Sequence, residues 1–431
     1  MDSSVTRLFL PNGLTIHLKE IHTAPIISHW VWYRVGSRNE VPGITGISHW
    51  VEHMQFKGTP RFPASQLDKA ISRTGGSWNA FTYLDWTTYY ETLPASHIEL
   101  GLLLEKDRMN NSLFDPKEVE SERNVILAEL EGNQNEPRYR LAEAVHRAAF
   151  DSHPYRNEVI GSQEDLHRIQ RDDLLSHYHQ YYTPNNAVIA LAGDFDSQGM
   201  LDFLTTLYAD IPSTPDLAVN VTAESPLLTS RQVEMCGPGT TTYLQVAYRA
   251  PRAVDPDFFS FMILDSILCG PTSLNMFGGG GTSNKTSRLY HALVETELTV
   301  SVRGGLQATI DPYIYKIGVT LRPERTIGQV LSALDDQISR LQQELVSSDE
   351  IARAAKQARA LFTYGSENIT NQAFWLGYAD MFASYGWFTG YVQYLEQVTP
   401  ADVNRIAQTY LSPLQRVVGT YLPDGTKGGC S

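Results

Sequence analysis

The chain has 431 residues, 42% hydrophobic and 19% charged, which is an ordinary globular composition with apolar material for more than one core. Its formal net charge of −14 argues against nucleic acid and anionic membrane as partners, and no apolar run is long enough to suggest a membrane span. The opening MDSSVTRLFLPNG lacks the charged start and apolar run of a secretory signal, so a cytoplasmic chain is expected.

The first segment with chemical content is His49-Trp50-Val51-Glu52-His53. Ile47, Trp50, Val51 and Met54 are apolar at helical spacing, Thr45 suits a cap and Lys57-Gly58 suits an end, so the pattern predicts a helix over 45–57. On one face of it, His49 and His53 can each offer a ring nitrogen to one Zn²⁺, with Glu52 beside them and free of the metal. Zinc lowers the pKa of a bound water to roughly 7, and a nearby carboxylate can take its proton as it attacks a carbonyl. The spacing H-x-x-E-H is an inverted metallopeptidase signature. Two surface histidines and a glutamate on an amphipathic helix would look the same, and a catalytic zinc needs a third protein ligand.

Further along, Gly75-Gly76 is a breaker, and Phe81, Tyr83 and Trp86 fit a strand with core-facing aromatics. Residues 115–131, DPKEVESERNVILAELE, read as an acidic helix with Val119, Val125, Ile126 and Leu130 on its buried side. Glu122 and Glu129 share a face of it, two turns apart. Taken alone, such a helix is usually just solvated. Asp173, Leu174, Tyr181, Pro184 and Val188 recur as Asp402, Val403, Tyr410, Pro413 and Val417, each 229 positions later (402 − 173). Both copies read as a helix ending in Tyr, a Pro break and an apolar strand. This predicts two similarly built halves, 1–215 and 232–431, joined by a linker over 216–231. Strands and helices do not alternate regularly, which favours an α+β class. Cys236, Cys269 and Cys430 are too few and scattered for a disulfide framework or a thiolate metal site. His17, His153, His167, His177 and His291 lack paired spacing with carboxylates and are expected to be structural or exposed.

Several motifs in order resemble the pitrilysin/insulinase family of zinc peptidases (inverted zincins), and within it the processing-peptidase-like branch of short two-domain subunits. They are LFLPNGLTIHLKE, VWYRVGSRNE, GISHWVEHMQFKGT, GGSWNAFTYLDWTTYYETLP, ERNVILAELEGNQNEP, DSHPYRNEVIGSQEDL and YYTPNNAVIALAGDF, so the resemblance covers nearly the whole chain. It implies two homologous α/β-roll domains of the LuxS/processing-peptidase-like type, the first carrying the metal. It also implies one zinc per chain held by His49, His53 and Glu129, with Glu52 as base and Glu122 behind the ligands. Asn79 becomes a substrate-positioning residue, and Ala80-Phe81-Thr82 an edge strand that accepts an extended peptide by main-chain pairing.

The second half departs from the family pattern. Gly278-Gly279-Gly280-Gly281 and Ser287-Arg288-Leu289 look like the family's glycine-rich stretch and following helix, but Val294 and Val300 stand where active members carry an arginine and a tyrosine. Valine can neither donate a side-chain hydrogen bond nor stabilise an oxyanion. The resemblance therefore implies a zinc-bearing subunit whose homologous partner carries the Arg/Tyr pair and a degenerate metal motif, with a homodimer as the alternative. Against this stand two other roles: a non-catalytic structural core subunit and a peptide-binding module.

Overall fold

A computed structural model describes residues 5–215, 217, 221–274 and 283–425. Gly278–Gly281 and Cys430 lie outside the described residues. A six-stranded sheet is built from β1 (Val5–Phe9), β2 (Thr15–Glu20), β3 (Ile26–Tyr33), β4 (Ser77–Thr82), β5 (Thr87–Pro94) and β6 (Ala187–Gly193), in the order β1-β2-β6-β3-β5-β4. A five-stranded sheet follows from β7 (Arg231–Gly237), β8 (Tyr243–Ala250), β9 (Thr299–Gly305), β10 (Tyr313–Leu321) and β11 (Arg416–Pro423), in the order β7-β11-β8-β10-β9. Apart from β1 the two orders coincide. Each sheet has one parallel pair, β2 with β6 and β7 with β11, and then runs antiparallel to its far edge. This is the mixed α/β architecture with two like sheets that the repeat anticipates.

Seven helices matter to the argument: α1 (Ile47–Met54), α2 (Pro116–Gln134), α3 (Pro137–Ala149), α4 (Arg171–Tyr181), α5 (Asp257–Leu268), α6 (Ile369–Tyr378) and α7 (Pro400–Tyr410). The repeat is resolved into α4 leading to β6 and α7 leading to β11. Its recurring aspartates act as helix caps. Asp173 accepts from the Gln170 amide at 2.8 Å and Asp402 from the Thr399 amide at 3.0 Å, each closing a capping box. Among the described residues no helix is long and apolar enough to cross a membrane.

The chain divides into two units that are not linear halves. One comprises Met1–Glu131, Asn157–Val221 and Ser366–Thr389, the other Gly132–Arg156, Thr222–Gly365 and Gly390–Ser431. The expected division, 1–215 and 232–431 about a linker, misses this exchange of segments. Its cause is the need to cover both sheet faces. The strand AVIALAG of β6 is buried along its whole length, as a central strand covered on both sides must be, and α6 from the later half of the chain supplies the cover. There Phe374 packs edge-on against Trp30 and Trp32, Thr370 bonds Thr92 at 2.9 Å, and Asp380 bonds the buried His17 at 2.6 Å. In the second unit α3, from the earlier half, lies on β7, β8 and β11. Both contacts depend on a glycine. A Cβ on Gly377 would sit 2.3 Å from Trp32 Cδ1, and one on Gly419 would sit 2.3 Å from Val145 Cγ2.

Candidate metal centre

Helix α1 has eight residues, too few to be stable in water alone, so tertiary burial must hold it. Ile47, Trp50, Val51 and Met54 are all at 0% exposure, each contributing on the order of 2 kcal/mol through burial. Its start departs from expectation. Thr45 does not cap it; the Thr45 hydroxyl donates to Asp165 at 2.6 Å, and the cap position belongs to Gly46, at φ 89°. The orphan amides of the first turn are taken instead by a buried carboxylate, Glu40, which accepts from Gly46 at 2.8 Å and Ser48 at 3.0 Å. Burial pushes the Glu40 carboxyl up to about 8, against the opposing pull of these two bonds. His177, in α4, sits 3.3 Å from the Ser48 hydroxyl, and burial lowers it to about 3.

The third donor arrives on α2. Val119, Ile126 and Leu130 face inward as expected, whereas Val125 is 47% exposed, because the inward stripe passes through Glu122 and Arg123 instead. Arg123 stacks over the Trp50 ring at 4.6 Å and donates to the Leu166 and Ile169 carbonyls, which ties α2 against α1. His49, His53 and Glu129 each turn one donor atom into a common space, all within 4.8 Å of one another, and they form the one such cluster among the described residues. The Glu129 carboxylate lies 3.9 Å from His49 Nε2 and 3.8 Å from His53 Nε2. Ligands about 2.0–2.1 Å from a tetrahedral zinc would be separated by roughly 3.3 Å, so a small closure suffices. The donor set, two imidazoles and a carboxylate, suits a hydrolytic zinc.

The surroundings prepare each donor differently. Burial first, and then His53, lower His49 to about 3, so its ring is neutral and able to ligate. Burial also acts to lower His53, but the Glu122 hydrogen bond and the charges of Glu52, Glu122 and Glu129 outweigh it, and its net shift is upward. Glu122 accepts from His53 Nδ1 at 2.9 Å and pairs with Lys57, which fixes the ring and leaves Nε2 facing the cluster. Glu52 does not point at the other donors' focus as a ligand. It is 8% exposed, burial raises its carboxyl to about 6, and its Oε2 accepts a 2.8 Å bond from the Thr82 hydroxyl.

Thr82 ends β4, which pairs only with β5 and so forms the far edge of its sheet. On that edge Asn79 is exposed, Ala80 buried, and Phe81 and Thr82 half-buried. Asn79 Oδ1 accepts from the Ala80 amide at 2.9 Å. In the second unit Val294 ends a short π-helical turn, and Val300 lies on β9 with 58% exposure.

Two family models match this chain: insulinase (peptidase family M16) over residues 15–163, and the peptidase M16 inactive domain over 168–358. The chain belongs to the insulinase family, peptidase family M16. It is 28% identical over 419 residues to a protein of Mycobacterium tuberculosis named an uncharacterised zinc protease, covering 94% of this chain and 90% of the relative. It is 29% identical over 272 residues to a probable mitochondrial-processing peptidase subunit beta of Arabidopsis thaliana, covering 63% and 51%. A solved structure of a protease from Helicobacter pylori superposes with a TM-score of 0.89 at 22% identity, covering 97% of this chain and 99% of that one. The fold is thus that of two-domain M16-like peptidases, and curated relatives of the chain are named zinc proteases.

Within the insulinase frame, three contributors carry no local sequence signal that marks their part in the site. Glu40 caps α1 from six to eight residues upstream, where no pattern singles it out. Lys57 reads as a helix end, and α1 closes earlier, at Met54, yet the Lys57 ammonium beyond that end pairs with Glu122. The Thr82 hydroxyl reads as part of a strand, and no periodicity links it to Glu52, thirty positions away. Cys269 is a buried free thiol. The other histidines behave as expected: His17 and His153 are buried against Asp380 and Asp311, and His167 and His291 are exposed.

Proposed function

We propose that this chain is a zinc-dependent endopeptidase acting on short or unfolded peptides, with His49, His53 and Glu129 holding one zinc and Glu52 as general base. One observation carries the reading: three metal-type donors within 4.8 Å of one another, next to a buried carboxylate that is not among them. A zinc held by these three residues would supply Lewis-acid activation of water and of the scissile carbonyl. Glu52 would take the proton of the attacking water as its oxygen adds to the carbonyl carbon. As the C–N bond breaks, Glu52 returns the proton to the leaving amine. Glu122, itself paired with Lys57, keeps His53 in the orientation that ligation needs. The free edge of β4 offers main-chain pairing to an extended substrate beside Asn79, which reads little side-chain sequence.

Val294 and Val300 supply no donor to a substrate, which supports a division of labour. In this reading the chain is the zinc subunit of a heterodimer whose homologous partner bears an Arg/Tyr pair. The proposed location is the cytoplasm, checked by fractionation of the source cells. A quenched-peptide library assayed with the chain alone and with a candidate homologue tests the function. Turnover that needs Glu52 and zinc supports the peptidase, and full activity of the isolated chain removes the heterodimer. No turnover with either, alongside tight peptide binding indifferent to Glu52→Gln, favours a binding subunit.

A further inference from the structure

We infer that Thr82 is a positioning residue for Glu52: its hydroxyl holds one carboxylate oxygen so that the other faces the attacking water. This rests on the reading of Glu52 as base. The Thr82 Oγ1 to Glu52 Oε2 bond is 2.8 Å long and joins the last residue of β4 to the middle of α1. Thr82 is placed by its cross-strand partner. It pairs with Thr87 at the closed end of the β4–β5 hairpin, where Tyr83 donates to the Trp86 carbonyl at 2.8 Å. The Thr87 hydroxyl is fully buried and donates to the Val35 carbonyl at 2.9 Å, with its oxygen 3.3 Å from that of Thr82.

A hydroxyl has a single proton to give. With Thr87 committed to Val35, the Thr82 proton goes to Glu52, and Oε2 is thereby fixed. The Thr82 backbone also bonds the Glu52 carboxylate, so the hydroxyl is the second of two bonds from this residue; glutamate turns about three side-chain torsions, and without the hydroxyl the carboxylate is held at one point in place of two. The hydroxyl is also distinct from whatever the β4 edge does for substrate. Main-chain pairing uses the backbone groups of β4 that β5 leaves free, and a change of the Thr82 side chain leaves these in place.

The test compares Thr82→Val, which keeps the shape and removes the hydroxyl, with Thr82→Ser, which keeps the hydroxyl. Both are assayed as zinc-loaded protein with any partner that activity needs, on one quenched peptide. Expected for Thr82→Val is a fall in kcat of roughly 10- to 100-fold, the range for residues that orient reactive groups, with KM and zinc content unchanged. Thr82→Ser should stay within about threefold of the parent. A crystal structure of Thr82→Val should show the Glu52 carboxylate turned or spread over several positions. Added to Glu52→Gln, Thr82→Val should lower the residual rate no further.

An unchanged kcat in Thr82→Val would overturn the proposal. So would a rise in KM at constant kcat, a Thr82→Ser as impaired as Thr82→Val, or an equal further loss on the Glu52→Gln background. Should Thr82→Val fail to fold, Thr82→Ala carries the same comparison. Parent-like turnover by Glu52→Gln alone would strike the base assignment itself, a separate failure from that of Thr82.

Discussion

The two units share a strand order, yet only one carries a donor cluster among the described residues. After β3 comes α1, whose ISHWVEHM turns two imidazoles and a carboxylate away from its buried stripe. After β8 comes α5, DFFSFMILDSIL, buried on nearly every side. Its one deep carboxylate, Asp265, is satisfied by hydroxyls of Tyr315 at 2.7 Å and Thr272 at 2.9 Å, and burial lifts it to about 6. Glu52 is lifted to a similar value but stands on the helix that also carries two of the three clustered donors. A raised carboxyl therefore does not make a site; convergence of donors does. That one family model is named for an inactive domain and matches 168–358 fits this contrast.

The contrast can be broken most sharply at Glu52. Glu52→Gln should lower kcat by on the order of 10³-fold while zinc content stays at one per chain, as read by peptide turnover and metal analysis. Asp265→Asn, its counterpart in the other unit, should leave both readings alone. Next comes the metal itself. Glu129→Gln removes a donor and should abolish stoichiometric zinc binding, whereas Glu122→Gln only loosens His53 and should weaken affinity by roughly 10- to 100-fold, as measured by competition with a chelator.

A smaller effect probes the exchanged helices. Gly377→Ala and Gly419→Ala each force a methyl into a 2.3 Å gap and should destabilise by about 1–3 kcal/mol. Hydrogen exchange should place the lost protection in β3 for the first and in β11 for the second. Equal loss in both sheets from either change would show that the units open together.

A pH series sharpens how α1 is held. Glu40 has a folded-state pKa near 8, above its unfolded value of 4.5, so between these the folded state keeps a proton that the unfolded state has lost. Stability from this group is therefore highest below about pH 4.5 and declines as pH rises toward 8. Glu40→Gln should flatten that part of the stability–pH curve in denaturant titrations. A curve of unchanged slope would remove Glu40 as its source.

Much of the site is legible in the chain itself. The metal pentapeptide, Glu122, Glu129 and the 229-residue repeat all obey short-range periodicity, because helices and strands write their faces into the chain at fixed spacing. What escapes is long-range. An amphipathic stripe on residues 137–149 says that a sheet must cover it without saying which sheet, and so a linear boundary stands in for the exchange. Thr45 looks like a cap because its residue type suits one, but Asp165, far along the chain, claims its hydroxyl. Val125 looks buried when the apolar pattern is read without allowing Glu122 and Arg123 to face inward, where His53, Lys57 and two carbonyls satisfy them.

The most direct test of the metal centre is anomalous diffraction at the zinc edge from crystals of the zinc-loaded chain. The account predicts one peak in the first unit, about 2.0–2.2 Å from His49 Nε2, His53 Nε2 and a Glu129 oxygen. A peak coordinated by other residues, or none at full zinc loading, would contradict it.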